Sequence, residues 1–118
     1  MSTHSTIGVK MEDGSIMGCY VHYDGDTMLE RIEQYLSART TTDLTMLIAK
    51  AQLSGGMRSF YSTSLYSDTP DTDFLNDNEP YAIDETDFYE DHGGTYAWYL
   101  VDYETGNIEK RFKHYDND

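Results

Sequence analysis

The residues of this chain that could do chemistry are mostly carboxylates, and most of them lie in one part of the sequence. Residues 59–109 contain thirteen Asp and Glu side chains and no Lys or Arg, whereas residues 1–58 carry seven acidic and five basic side chains. The formal net charge of the whole chain is -14, so nearly all of the excess belongs to this acidic block. Such a block repels phosphates and anionic lipid, so direct binding of nucleic acid or of a membrane is not expected.

Charge mimicry is the first functional hypothesis for the acidic block. Carboxylates spaced along a folded surface can imitate the phosphates of a duplex and occupy the basic cleft of a DNA-binding protein, as phage antirestriction proteins do. Tyrosines and phenylalanines lie among these carboxylates, and aromatic residues are enriched in protein interfaces. A solvated face that only keeps the chain soluble is the alternative. The predicted partner-binding residues are Asp68, Asp71, Asp73, Asp77, Glu79, Tyr81, Asp84, Glu85, Asp87, Phe88, Tyr89, Glu90 and Asp91.

A second hypothesis is that the protein sequesters a small ligand or a nucleotide signal. Its site would combine aromatic side chains of one strand with arginines that clamp an anion, and the candidates are Tyr96, Trp98, Tyr99, Arg31, Arg39, Arg58 and Arg111. A third is a soluble structural domain without a catalytic role. Catalysis is not predicted, because neighbouring carboxylates such as Glu90 and Asp91 would point to opposite faces of a strand.

No cofactor or metal site is predicted from the sequence. A calcium loop that begins at Asp71 fails, because Leu75 replaces the third ligand and Asn76 stands where the turn glycine belongs. The histidines are scattered, so a two-histidine metal site would require long-range convergence. Cys19 is the only cysteine, which excludes an intramolecular disulfide. Together with the absence of an apolar stretch of roughly 18 residues, this predicts a location in the host cytoplasm.

The elements that would position these residues begin with a β-hairpin. Residues 5–11 alternate apolar with small or polar side chains, residues 16–23 are rich in strand formers, and the Asp-Gly dipeptide at 13–14 suits a two-residue type I′ turn. That turn would place Ile7 opposite Tyr20. Apolar side chains would then share one face of the hairpin.

A second hairpin is predicted near the other end of the chain. Residues 95–103 are rich in strand-forming side chains, and residues 108–115 follow after a three-residue loop in which Gly106 would adopt the left-handed conformation of a bulge. This loop would set Trp98 opposite Phe112.

Two helices are predicted between the hairpins. One begins at Thr27, with Glu30 completing a capping box, and the other begins at Thr42 or Asp43. Residues 68–80 contain both prolines and no clear period, which predicts a long acidic loop. The chain as a whole is therefore predicted to be one α+β domain, in which an antiparallel sheet built from the two hairpins carries both helices on one face.

The first 25 residues also carry a resemblance. Thr3-His4-Ser5-Thr6-Ile7, the Asp13-Gly14 turn and Tyr20-Val21-His22-Tyr23-Asp24-Gly25 resemble the opening of a group of small bacteriophage-encoded proteins of unknown function. In that group the glycine is often followed by Tyr-Pro, whereas Asp26 and Thr27 follow it here. The resemblance implies a phage origin and an inhibitor of a basic host protein, either a nucleic-acid-binding enzyme or a defence complex. It brings no catalytic residues, and a homodimer is compatible with it.

Overall fold

A computed structural model describes residues 4–22, 27–61, 63–65, 79–90 and 95–112. The chain is an α+β protein, as predicted. Its elements in chain order are β1 (Ser5–Lys10), β2 (Ile16–Val21), α1 (Met28–Ala38), α2 (Thr41–Leu53), β3 (Met57–Ser59), β4 (Ser64–Leu65), α3 (Glu85–Phe88), β5 (Ala97–Asp102) and β6 (Ile108–Phe112).

The strands form one mixed sheet in the order β4-β3-β2-β1-β5-β6. Both predicted hairpins are present, since β1 pairs antiparallel with β2 and β5 pairs antiparallel with β6. The prediction of a purely antiparallel sheet is wrong, because β1 runs parallel to β5 and β2 runs parallel to β3. After the crossover through α1 and α2, β3 starts with Met57 beside Val21, the last residue of β2, and runs in the same direction as β2.

The register of the first hairpin differs by one residue from the prediction. Ile7 lies opposite Cys19 and not opposite Tyr20. The loop has three residues, because the Met11 amide donates to the Ser15 carbonyl, and only Gly14 of the Asp-Gly dipeptide has a positive φ, +87°. A type I′ turn needs positive φ at both central residues, so the chain forms a glycine bulge instead, and the longer loop shifts every pair.

The second hairpin differs in the same way. Trp98 lies opposite Arg111, and Phe112 lies opposite Ala97. The Asp102 amide donates to the Asn107 carbonyl, so the loop has four residues and not three. An Asp102 carboxylate oxygen accepts the amides of residues 104 and 105 at 2.9 and 3.0 Å, which stabilises this wider turn.

The two longer helices lie where the sequence places them, with changes at their first turns. Thr27 precedes α1, but its side chain makes no capping hydrogen bond, so that capping box is wrong. The capping box belongs to α2, where Thr40 and Asp43 exchange side-chain and backbone hydrogen bonds. Thr40 therefore starts α2 slightly earlier than predicted.

The sheet has an apolar cluster on each face. On one face α1 and α2 cover side chains that include Ile7, Tyr99 and Val101, as predicted. On the other face, which we call the second face, Trp98 and Leu100 are buried under residues 79–90. Alternate residues of β5 thus enter different clusters, because successive side chains of a strand point to opposite sides.

Candidate functional site

Residues 79–90, which we call the acidic segment, lie in a fixed position on the second face. Ile16 donates its amide to the Ala82 carbonyl at 2.9 Å and accepts the Tyr81 amide at 2.8 Å. The Gln52 side chain donates to the Glu79 carbonyl at 2.8 Å. The part of the predicted acidic surface that the structure describes is therefore attached to the sheet by backbone hydrogen bonds.

Two aromatic side chains of the acidic segment occupy space above paired glycines. Gly8 of β1 lies opposite Gly18 of β2. A Cβ atom at Gly8 would lie 2.6 Å from Cε1 of Phe88, and one at Gly18 would lie 2.9 Å from Cδ1 of Tyr81. Phe88 is fully buried and Tyr81 partly so. Phe88, predicted as a partner contact, thus packs the segment onto the sheet and offers no surface to a partner.

Three predicted carboxylates make contacts within the protein. Asp84 caps α3 by accepting the Asp87 amide at 2.8 Å, and the Asp87 carboxylate accepts the Ile83 amide at 3.1 Å. Glu85 lies 2.8 Å from the Lys10 ammonium. The other two carboxylates of the segment, Glu79 and Glu90, are exposed, as is Asp84. Negative charge therefore remains accessible along a segment whose shape is set by its own acidic side chains.

Lys10 lies among carboxylates from three elements. Asp102 pairs with it in the parallel register, and Glu109 and Glu85 line the same cavity of about 270 Å³. The hydrogen bond and the charge of Glu85 raise the pKa of Lys10 above its ordinary value. Among the described residues no group of three or more His, Cys, Asp or Glu side chains is placed to hold a metal ion.

Tyr89, the third predicted aromatic contact, is partly covered by Arg111. The guanidinium carbon lies 3.9 Å from the centre of the Tyr89 ring, and Glu109 lies 3.6 Å from the same guanidinium. Burial raises the pKa of Tyr89 to about 12. Tyr89 thus joins the acidic segment to β6 and keeps only part of its ring for a partner.

Ile83, which is not among the predicted partner-binding residues, also lies on the surface of the acidic segment. Its side chain is 76% exposed, although its neighbour Ala82 is buried. Single exposed apolar side chains are common on protein surfaces, but this one lies among carboxylates and offers a partner apolar contact area next to the negative charge. The available signal was a single isoleucine within residues 79–90, with no strand or helix period to bury it.

Part of the predicted site lies outside the described residues. This applies to most of the predicted loop at 68–80, as far as residue 78, and to the following candidates: Asp68, Asp71, Asp73, Asp77 and Asp91.

The predicted aromatic ligand site on β5 does not form. Trp98 and Tyr99 are 6% and 1% exposed and enter opposite clusters, so they cannot line one pocket. Arg111 lies on the second face beside Tyr89, whereas Arg31 of α1 and Arg39, the residue that follows α1, line a different cleft. Two of the predicted arginines therefore do line a cleft, but the aromatic side chains beside them do not come from β5.

Two histidines converge although they are distant in sequence. The Tyr20 hydroxyl hydrogen-bonds to Nδ1 of His4 and lies 2.8 Å from Nδ1 of His22, and the two imidazole centres are 4.5 Å apart. His4 directly precedes β1 and His22 directly follows β2, so both histidines lie next to the terminal pair of the hairpin, Ser5 and Val21. Cys19 is buried in the cluster beneath the helices, and burial raises the pKa of its thiol, so it is not an activated nucleophile.

Comparison with protein-family models, with curated proteins and with solved structures finds no match for this chain. In the described ranges, no helix has the length and apolar character needed to cross a bilayer. Function therefore has to be inferred from the geometry described above.

Proposed function

We propose that this chain is a phage-encoded acidic binding protein that inhibits a basic, nucleic-acid-binding host or defence protein by occupying its nucleic-acid site. The observation that carries the proposal is Ile83, which is 76% exposed within a segment that contains five carboxylates and no basic residue. Carboxylates alone would suit a solubilising face. An exposed apolar anchor among them favours a protein interface.

The fixed position of the acidic segment supports this proposal. Its backbone is hydrogen-bonded to Ile16, and Phe88 is fully buried beneath it. A segment that is already ordered loses less conformational entropy on binding than a disordered one. Preorganised carboxylates can therefore contribute to affinity as well as to long-range attraction of a basic partner.

Charge and apolar contact can be separated with two variants in a pull-down from bacterial lysate. Glu79→Gln/Glu90→Gln removes two exposed carboxylates from the acidic segment, and Ile83→Ser removes the anchor. The matched control is Glu30→Gln/Glu33→Gln, which removes the same charge from exposed positions of α1. We expect capture to weaken with ionic strength for the wild type and to fall in the two segment variants but not in the control.

Duplex DNA added as a competitor tests the mimicry itself. If the chain occupies a DNA-binding cleft, the duplex should displace it from the captured protein, and a purified partner should lose DNA binding when the chain is added. Capture that resists both DNA and salt would contradict mimicry. Equal losses in the segment variants and in the α1 control would indicate a nonspecific effect of net charge.

A further inference from the structure

We propose that the cleft between α1 and the β3–β4 turn is a binding site for a small nucleotide, with Arg31 and Arg39 holding its phosphate. The cleft has a volume of about 520 Å³, and both arginines line it. Pockets of roughly 300–1,000 Å³ are typical for small molecules. The site lies apart from the acidic segment, so this inference does not depend on the proposed function.

Among the described residues the two arginines form no close ion pair, although the charge of Arg39 contributes to lowering the pKa of Asp43. Lys10 and Arg111, by contrast, each form one. Nε of Arg31 is buried and has no hydrogen-bond partner there. A buried donor left unsatisfied is unfavourable, so an anion that accepts hydrogen bonds from this guanidinium would offset part of that penalty.

Aromatic rings hold both guanidinium groups. The guanidinium carbon of Arg31 lies 4.0 Å from the centre of the Tyr61 ring, and that of Arg39 lies 5.1 Å from the centre of the Tyr35 ring. Contact with a ring fixes the guanidinium while its N–H groups stay free to donate to an anion. Arg31 lies near the start of α1 and Arg39 directly follows its last residue, so their Cα atoms are on the order of 12 Å apart. They can therefore flank a ligand larger than a single ion.

The rest of the cleft wall combines aromatic and apolar side chains with Gln34 and Thr63. Leu47 of α2 and Phe60 of the turn line it together with Tyr35, whose ring centre is 5.7 Å from that of Phe60. Such a wall offers a flat, partly dry surface to a base, while the arginines suit a phosphate. Inorganic phosphate alone would contact the arginines but not the aromatic part of the wall.

Thr63, at the rim of the cleft, supports a functional role for the turn. Its φ is +52°, a left-handed conformation that a β-branched residue rarely adopts, and its amide donates to the Phe60 carbonyl at 3.2 Å. Backbone strain of this kind persists only where surrounding contacts enforce it, and it is frequent at ligand sites. Phe60 and Tyr61, which precede Thr63 in the chain, line the same cleft.

The size of the ligand follows from the electrostatics. A large acidic partner would meet the negative charge of the rest of the chain. A small anion meets mainly the charges nearest the cleft, because charges farther away than about 8 Å are screened at physiological ionic strength. A mononucleotide is therefore favoured over an acidic peptide or a nucleic acid chain.

Isothermal titration of the full chain with adenosine and guanosine 5′-monophosphates tests the site, with adenosine alone and inorganic phosphate alone as the two partial ligands. We expect a nucleotide to bind at least tenfold more tightly than either part. Arg31→Met and Arg39→Met should each weaken binding about tenfold or more, because each removes charge-assisted hydrogen bonds. Arg31→Lys should also weaken it, since an ammonium does not replace the planar guanidinium.

The matched control is Arg58→Met, which removes an exposed cation on β3 that does not line the cleft. It should leave nucleotide binding unchanged, as should Glu79→Gln/Glu90→Gln. Thermal unfolding of every variant confirms that it is folded. The proposal is overturned if neither nucleotide binds, if phosphate alone binds as tightly, or if the Arg31 and Arg39 variants lose no more affinity than Arg58→Met.

Discussion

Phe88 lies directly over Gly8, with its Cε1 atom 2.6 Å from the position that a Cβ atom on the glycine would occupy. This contact joins the acidic segment to the central strand of the sheet. Ile16 Cγ2 lies 2.7 Å from the same position, so the space is closed from two sides. The position of the carboxylates in the segment thus depends on a residue that has no side chain.

Gly8→Ala should lower the free energy of unfolding by about 1–3 kcal/mol, because the added methyl group overpacks the contact with Phe88 and Ile16. Urea denaturation measures the change. In a Phe88→Ala background the same substitution should cost less, because the ring is absent and only the contact with Ile16 remains. A double-mutant cycle with no coupling would show that the two residues do not constrain one another.

Ile83→Ser should change the free energy of unfolding by less than about 0.5 kcal/mol, because the isoleucine is 76% exposed. Phe88→Ala, five positions along the same segment, should cost about 3–5 kcal/mol because it empties a buried site. Parallel denaturation curves test this contrast. A large loss on Ile83→Ser would mean that Ile83 stabilises the fold and would remove its value as evidence for an interface.

Lys10→Gln should destabilise the protein at neutral pH, because Glu85, Asp102 and Glu109 would then face one another without a cation. The deficit should shrink as salt is added. Folding raises the pKa of Lys10 above its ordinary 10.5. The stability that the ammonium contributes is therefore fully present below pH 10.5 and is lost as the pH rises through the higher pKa of the folded state. Wild type and variant should therefore converge in strong alkali. Lys110→Gln, an exposed lysine of β6, is the control and should show a smaller deficit.

Asp43→Asn should weaken the first turn of α2 in a way that depends on pH. Hydrogen bonds from the Thr40 backbone and side chain lower the pKa of Asp43 below its ordinary 3.8. The stability that the carboxylate contributes is therefore present above that value and is lost as the pH falls through the lower folded pKa. Urea midpoints should differ at pH 6 and become equal near pH 2. A difference that stays constant over this range would show that the capping carboxylate does not titrate as described, and Glu33→Gln serves as the matched substitution.

The sequence predicts local features of this fold better than distant pairings. Asp13-Gly14 and Gly106 correctly mark two turns, but the residue count of each loop depends on hydrogen bonds such as Met11 to Ser15, which composition does not reveal. Each loop is one residue longer than predicted, and both registers shift accordingly. The parallel pairing of β1 with β5 has no local signal at all.

In the candidate sites, too, the sequence predicts composition better than contacts between distant residues. The excess of carboxylates in residues 79–90 is visible in the sequence, but their roles are not. In the sequence, Asp84 and Asp87 cannot be distinguished from other acidic residues. Only the structure shows that their carboxylates accept backbone hydrogen bonds at α3 and just before it. Arg31 and Arg39 could be proposed as anion clamps, yet their aromatic partners come from the β3–β4 turn and from α1 itself, and not from the strand that contains Trp98.

The position of β1 between β2 and β5 has a consequence for how the chain is made. Ser5 pairs with Ala97, so the central strand emerges from the ribosome before the other described elements and acquires its second neighbour only after β5 has been synthesised. Until then the β1–β2 hairpin has an open edge next to Ile7 and Val9, which is a template for pairing with another nascent chain. Such long-range pairing also predicts slow folding for a protein of this size. At high expression levels we therefore expect nascent chains to aggregate during synthesis, even if the completed protein is stable.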